Sequence, residues 1–89
     1  MNIFETQDFY LCAFLSSAGF PIINFQRNDG LTTFAFEQRA ELLKLVRDYY
    51  ADQANISPIR YGNSLKNLKS LIHSNHYEKT NPHNNGTAR

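Results

Sequence analysis

The chain has 89 residues, of which 42% are apolar, and a formal net charge of +1. This length allows one domain at most, and the small net charge provides no global electrostatic argument for a nucleic-acid or membrane partner. The single cysteine excludes an internal disulfide framework. No stretch approaches the roughly 18–20 apolar residues of a membrane span, and the N-terminus has acids where a signal peptide needs cations. We therefore expect a cytoplasmic protein that does not engage a membrane.

Charge is unevenly distributed along the chain. Residues 1–53 contain four cations and seven acids, whereas residues 54–89 contain five cations and one acid. The C-terminal third is therefore a basic end on an otherwise mildly acidic protein. This asymmetry indicates an anionic partner for that end.

The first predicted element is a helix over residues 6–18. Thr6 can cap its N-terminus, and Asp8 suits the positively polarised first turn. Gly19 ends the helix, because the left-handed conformation found after a helix costs glycine little. Apolar residues recur at helical spacing between these ends: Leu11, Phe14, Leu15 and Ala18.

A β-hairpin follows, with strands predicted near residues 20–27 and 31–37. Apolar and polar residues alternate in both arms, and β-branched and aromatic types dominate them. The sequence NDG between the arms is typical of a turn, since all three residue types accept a positive φ. A two-stranded hairpin is marginal alone, so we expect either a short strand at Ile56 or a second protomer to complete the sheet.

Two more helices are predicted, over residues 39–51 and 58–74. Both have apolar stripes at spacings of three and four, and Ser57 with Pro58 forms an N-cap and first-turn pair at the start of the second. The remaining segment, residues 77–89, is polar and has no period. We expect this tail to be disordered unless a partner holds it, because it lacks the apolar surface that offsets ordering.

The order of these elements predicts an α+β fold. It is a small α-β-β-α-(β)-α domain whose helices pack on one face of a short antiparallel sheet, with residues 1–76 as the single compact domain. The predicted core draws on every element: Phe14, Leu15, Ile23, Phe25, Phe34, Phe36, Leu42, Val46, Leu65, Leu68 and Ile72.

Several motifs resemble a small prokaryotic and phage-borne family that is known only as a domain of unknown function. The similar segments are a T-x-D-x-Y-x-x-A-x-L helix, an F-x-F strand, a helix ending in Y-Y and a final L-x-x-L-K-S-L-I helix, within about residues 6–73. The resemblance implies a compact domain in a phage or mobile-element setting, and it implies no activity. The residues concerned are Thr6, Asp8, Tyr10, Ala13, Leu15, Phe34, Phe36, Tyr49, Tyr50, Leu65, Leu68, Lys69, Ser70, Leu71 and Ile72.

The predicted third helix has a strip of basic and histidine side chains. Lys66, Lys69, His73 and His76 follow one another at spacings of three, four and three, which places them on one side of a helix. Such a strip can lie along phosphates, with Arg60 joining only if the neighbouring surface is basic. The alternative interpretation is an ordinary solvated face, with cations favoured near a helix C-terminus by its dipole.

Catalytic and metal-binding chemistry is not expected. His73 and His76, with Glu78 and His83 nearby, do not make a convincing zinc site, which needs three or four well-placed ligands. Cys12 lies in an apolar helix and is expected to be packed rather than nucleophilic. No phosphate-binding loop, dinucleotide fingerprint or nucleophile elbow occurs. We therefore expect no enzyme, no cofactor, no metal and no small-molecule substrate.

The tyrosines have two expected environments. Tyr49 and Tyr61 fall on apolar stripes and are expected to be in the core, whereas Tyr10 and Tyr50 are expected at the surface. Exposed rings of this kind can stack on nucleobases, although adjacent aromatics at a helix end usually serve packing.

Two functional classes remain after these exclusions. The first is a non-catalytic accessory module of phage or mobile-element type that binds nucleic acid through Lys66, Lys69, His73 and Arg60. The second is a protein–protein interaction module, either a homodimer or a small subunit or inhibitor docked on a larger machine.

Overall fold

The computed structural model describes the backbone of residues 1–80 and the side chains of residues 1–73. It contains three strands and three helices in the order β-α-β-β-α-α, which confirms a small α+β domain. The elements are β1 (Ile3–Thr6), α1 (Phe9–Ser17), β2 (Asn24–Asn28), β3 (Leu31–Glu37), α2 (Ala40–Tyr50) and α3 (Pro58–Thr80).

The three strands form one antiparallel sheet in the order β1-β3-β2. Phe36 of β3 lies opposite Phe4 of β1, and Phe34 lies opposite Phe25 of β2. Residues that face each other across antiparallel strands share one side of the sheet, so these four rings form a single aromatic face. Since β1 and β2 both run against β3, they are parallel to each other, and α1 is the crossover between them.

Helix α1 is enclosed by the rest of the domain. Its five consecutive residues Leu11–Leu15 are all buried, and the helix packs against β1, α2 and α3. A helix that is apolar all round must be buried on every side. Because α1 holds most of the core, side chains at either of its ends are fixed relative to the whole domain.

The N-terminal strand was not predicted from the sequence. Residues 3–6 pair with β3, and so the expectation that either a strand at Ile56 or a second protomer would complete the sheet is wrong. The segment around Ile56 has no strand, and its side chain packs against the core instead. The four residues of β1, IFET, are two apolar residues followed by two polar ones, so no period of two distinguishes them from coil without their partner strand.

The start of α1 also differs from its prediction. Thr6 belongs to β1, and Asp8 is the N-cap: its Oδ1 accepts hydrogen bonds from the backbone N–H groups of Tyr10 and Leu11. The Thr6 hydroxyl oxygen accepts from the N–H of Asp8 at 3.0 Å and so supports the turn rather than the helix. The predicted end is confirmed, since Gly19 has a φ of 104°.

The hairpin turn and most of the core are as predicted. Asp29 and Gly30 have positive φ values of 52° and 82° in the turn. Ile23 is the exception, because it is 46% exposed. Strand β2 begins at Asn24, so the alternation that turns the Phe25 side chain inward does not continue back to Ile23. The side chain of Ile22 packs against the core instead.

Helix α3 is longer than predicted, because it continues beyond residue 74 to Thr80, the last residue that the structure describes. Residues 81–89 of the predicted polar tail lie outside the described part of the chain, as do the side chains of His76, Glu78 and His83. Within the described residues, no helix combines the length and apolarity that a membrane crossing needs.

Candidate functional site

The exposed face of α3 is the first candidate surface. Ser57 precedes the helix, and its Oγ accepts a long hydrogen bond of 3.4 Å from the N–H of Arg60. One side of α3 then packs on the core through Leu68, which is almost fully buried, and the partly buried Leu65 and Ile72. The flank beside this core-facing side is exposed to solvent, about 60–120° further around the helix axis, and it contains Lys66, Lys69 and His73.

The structure groups three of the four predicted nucleic-acid-binding residues. At about 100° per residue, Lys66, Lys69 and His73 lie within roughly 60° of one another around the helix axis. Arg60 is also exposed, but it projects roughly 120–180° away from them. We refer to Lys66, Lys69 and His73 as the basic strip, and Arg60 does not belong to it.

Among the described side chains of α3, the basic strip has no acidic neighbour. The described part of α3, residues 58–73, contains three cations and no acid. The two ion pairs among the described residues are Arg39–Glu37 and Lys44–Asp48, and neither involves α3. Asn63, Asn67 and Ser70 are exposed on the same helix, so the surface combines positive charge with neutral hydrogen-bonding groups.

The dipole of α3 does not explain why Lys66 and Lys69 occur where they do, because the helix is too long. Favourable interaction of cations with the helix dipole is confined to about the last turn. Because α3 continues to Thr80, Lys66 and Lys69 are about three turns or more before its C-terminus. The dipole therefore does not account for their position.

A cleft lined by aromatic residues is the second candidate surface, and sequence analysis missed it. We name it the tyrosine cleft; its volume is about 460 Å³. Three separate parts of the chain meet there: α1, the end of α2 with the loop that follows, and the start of α3. The lining residues are Phe14, Tyr49, Tyr50, Asp52, Ala54, Ile56 and Tyr61.

The rings of the cleft are held by packing. The centroids of Phe14 and Tyr49 are 5.4 Å apart, and Tyr49 meets Tyr50 edge-on at 5.2 Å. Tyr49 and Tyr61 are partly buried against the core, as predicted. Burial raises the pKa of both phenols. Tyr50 is 61% exposed, which confirms its predicted surface position.

Asp8 fixes the orientation of Tyr50. The carboxylate that caps α1 through Oδ1 also accepts a 2.7 Å hydrogen bond at Oδ2 from the Tyr50 hydroxyl. This hydrogen bond, with burial and the charge of Asp8 as lesser causes, raises the pKa of Tyr50 to about 12. Tyr50 is therefore a neutral hydrogen-bond donor at physiological pH, joined to the N-terminus of α1.

The end of α2 places a carboxylate at the cleft. Asp52 has a φ of 60°, and the next N–H, that of Gln53, bonds to the Asp48 carbonyl at 2.8 Å. Such a left-handed residue after a helix is a standard C-terminal cap, and Asp tolerates it better than most non-glycine residues. The sequence signal was the polar ADQ after an apolar stripe, which predicts a helix end but not a site.

Cys12 is in the core, as predicted. It is completely buried, and burial, with a smaller contribution from the charge of Asp8, raises the pKa of its thiol to about 12. A thiol in this environment is not a nucleophile. Among the described residues no group of three His, Cys, Asp or Glu side chains is arranged to hold a metal ion.

The chain matches the model of a protein family. The model of the domain of unknown function DUF5659 matches residues 1–74, which is most of the chain. The protein belongs to the DUF5659 family. No curated protein and no solved structure matches it.

The matched region contains both candidate surfaces of this DUF5659 domain. It includes β1, which lies partly before the segment of the predicted resemblance, and it extends through the basic strip to residue 74. The family description specifies no activity, so the chemistry of the two surfaces is the basis on which a function can be proposed.

Proposed function

We propose that this DUF5659 domain is a non-catalytic accessory module that binds nucleic acid through the basic strip of α3. The observation that supports the proposal most directly is an exposed, acid-free helix face with two lysines and a histidine. Neither lysine has an ion-pair partner among the described residues, and the helix dipole does not explain them.

The physical basis of the interaction is phosphate contact. Lys66 and Lys69 each neutralise a phosphate and release its counterion. A ring N–H of His73 can donate a third hydrogen bond to a phosphate oxygen, and the neighbouring Asn and Ser side chains can donate to sugar or base groups. Since so few cations are involved, binding is weak and depends strongly on salt.

The strength of this salt dependence can be estimated. With two to three phosphate contacts, the slope of log K against log salt for duplex DNA is about −1.8 to −2.7. A change from about 50 to 200 mM salt then weakens binding about 10- to 40-fold. A basic strip that made no phosphate contact would give no such loss.

The test is a fluorescence anisotropy titration with short single- and double-stranded DNA and RNA at these two salt concentrations. We expect measurable binding at low salt and its loss when Lys66→Glu and Lys69→Glu are combined. The matched control is Arg27→Glu with Lys44→Glu, which changes the net charge equally but on other parts of the domain. Thermal unfolding of both variants verifies that they are folded.

Three results would contradict the proposal. They are an absence of binding at low salt, equal binding by the α3 double variant and the wild type, and equal losses in the α3 and control variants.

Arg60→Glu gives a finer test. Because Arg60 projects away from the basic strip, its reversal is expected to weaken binding much less than reversal of Lys69.

The resemblance found in the sequence supports the phage or mobile-element setting of this proposal.

The second candidate is a protein–protein interaction module, and the exposed edge of the sheet favours it. Among the described residues no strand pairs with the outer edge of β2, and an unpaired edge can accept a strand from a second chain. Sedimentation at micromolar concentration distinguishes a β2-mediated dimer from a monomer. Arg27 and Thr32 form a non-hydrogen-bonded pair, so the Arg27 N–H points to the outer edge, and Arg27→Pro should abolish such a dimer without breaking the β2–β3 ladder.

A further inference from the structure

The tyrosine cleft has the opposite electrostatic character to the basic strip. Asp52 is the charged residue in its lining, which contains no cation. Asp8 adds a second carboxylate, because it is hydrogen-bonded to Tyr50 at the rim. Negative charge and the negative faces of aromatic rings coincide at this one place, and both attract cations.

We infer that the tyrosine cleft binds an arginine side chain of a partner protein. A guanidinium is planar and weakly hydrated, so it can stack on an exposed ring such as Tyr50 while its N–H groups donate to a carboxylate. Asp52 is the acceptor that lines the cleft. A lysine ammonium is more strongly hydrated and cannot stack, so arginine is the better match to an aromatic site beside a carboxylate.

The same chemistry argues against two other ligands. A nucleotide could stack its base on Tyr50, but its phosphate would then lie near Asp8 and Asp52 and be repelled. A free arginine molecule carries both an α-ammonium and an α-carboxylate, and the cleft lining has no cation to pair with the extra charge of that carboxylate. An arginine within a polypeptide lacks that extra charge and fits the site without this cost.

The site is preorganised for such a ligand. Tyr50 is held by its hydrogen bond to Asp8, Tyr49 by its contact with Phe14, and Asp52 by the helix-capping turn that follows α2. Groups that are already fixed lose little conformational entropy on binding. A volume of about 460 Å³ accommodates one large side chain, so we expect one arginine to be anchored while the rest of the partner contacts surrounding surface.

The test uses arginine capped as an amide at both ends, with capped citrulline as its neutral isostere and capped lysine as the second cation. Binding is followed by NMR through the ring protons of the tyrosines, which report ligand stacking directly. We expect saturable shifts of Tyr49, Tyr50 and Tyr61 with capped arginine at millimolar concentration, and weaker or no saturation with the other two compounds and with free arginine.

A matched pair of variants isolates the carboxylate. Asp52→Asn removes the charge, and Asn retains the ability to adopt a positive φ. Asp29→Asn makes the same change at the other non-glycine residue that has a positive φ in the described part of the chain, in the hairpin turn. Asp52→Asn is expected to weaken arginine binding about tenfold, the scale of a lost charge-assisted hydrogen bond, whereas Asp29→Asn leaves it unchanged. Tyr50→Ala should abolish the shifts of the remaining rings.

Several outcomes would overturn the inference. They are shifts of equal size and affinity with capped citrulline or capped lysine, tighter binding of free than of capped arginine, equal effects of the two Asn variants, and no saturable shift in folded protein. The test does not depend on nucleic acid. The combined Lys66→Glu and Lys69→Glu variant should still bind capped arginine, so failure of the nucleic-acid proposal and failure of this one are distinguishable.

Discussion

Asp8 joins the start of α1 to the rim of the tyrosine cleft. Its carboxylate accepts hydrogen bonds from the N–H groups of Tyr10 and Leu11 and from the hydroxyl of Tyr50, 42 residues away in sequence. The first two satisfy donors at the start of α1, which is typically worth about 1 kcal/mol. The third sets the position and the ionisation of a phenol in the candidate site.

The pKa of Tyr50 predicts a specific alkaline destabilisation. Tyr50 has a pKa of about 12 in the folded protein against 10.0 for an ordinary tyrosine. Between these values the unfolded state loses the phenolic proton and the folded state keeps it, so the unfolded state binds fewer protons and stability falls as pH rises. Below about pH 10 the contribution is fully present, and above about pH 12 it is lost.

This contribution can be measured by denaturant unfolding at about pH 9 and pH 11. Tyr50→Phe is expected to lose less stability than the wild type between these two conditions, because it has no phenolic proton to lose. The effect should be modest, since Tyr50 is largely exposed and solvent screens the interaction. Tyr10→Phe, at a residue of similar exposure whose hydroxyl has no described hydrogen-bond partner, is the control. An identical pH dependence in Tyr50→Phe and the wild type would contradict the assignment.

At the scale of elements, the sheet depends on its central strand. β3 pairs with β1 on one side and with β2 on the other, and its Phe34 lies opposite Thr6 and Phe25 at once. The Phe34 ring is almost completely buried and lies 6.3 Å from that of Phe25. The aromatic face against which the helices pack therefore has Phe34 near its centre.

Truncation of Phe34 is expected to be severe. Phe34→Ala should reduce the free energy of unfolding by about 3–5 kcal/mol, because it removes buried apolar surface and leaves a cavity. That is a large part of the roughly 5–15 kcal/mol by which whole domains are stable. Leu31→Ala on the same strand is the control, since Leu31 is exposed and should change stability by about 0.5 kcal/mol or less. Urea denaturation compares the two, and equal midpoints would show that β3 does not pack as described.

For the whole molecule, the two candidate surfaces have opposite charge and are built from different parts of the chain. The basic strip lies on the middle of α3, and the tyrosine cleft lies where α3 begins and α2 ends. Separate sites with opposite preferences suit a module that bridges a nucleic acid and a protein. Such a function needs no catalytic group.

We predict that the basic strip and the tyrosine cleft bind their ligands independently of each other. Asp52→Asn is expected to leave nucleic-acid affinity within about twofold of the wild type, because additivity holds for sites that share no partner. Capped arginine at saturating concentration should likewise leave the affinity in the anisotropy titration within about twofold of that of the wild type alone when the ionic strength is matched. A shift of tenfold or more in either experiment would show that the surfaces compete or are coupled, which would exclude a bridging role.

Much of this protein is determined by local sequence pattern. The hairpin turn, both later helices, the burial of Phe34 and Phe36 and the exposure of the basic strip follow from periods of 2 and 3.6 residues and from the φ preferences of a few turn residues. Cys12 belongs to the same group, because an apolar helix predicts its burial. These features depend on neighbours within a few positions, which the sequence displays directly.

Other features were decided only by tertiary structure. β1 was missed because its four residues are stabilised by pairing with a strand about thirty positions later, and Thr6 was assigned to a helix for the same reason. The tyrosine cleft brings together Phe14, Tyr50 and Tyr61 from three elements, and Asp8 reaches Tyr50 across 42 positions. No local period records such contacts, because they depend on where α1, α2 and α3 come to lie once the core is packed.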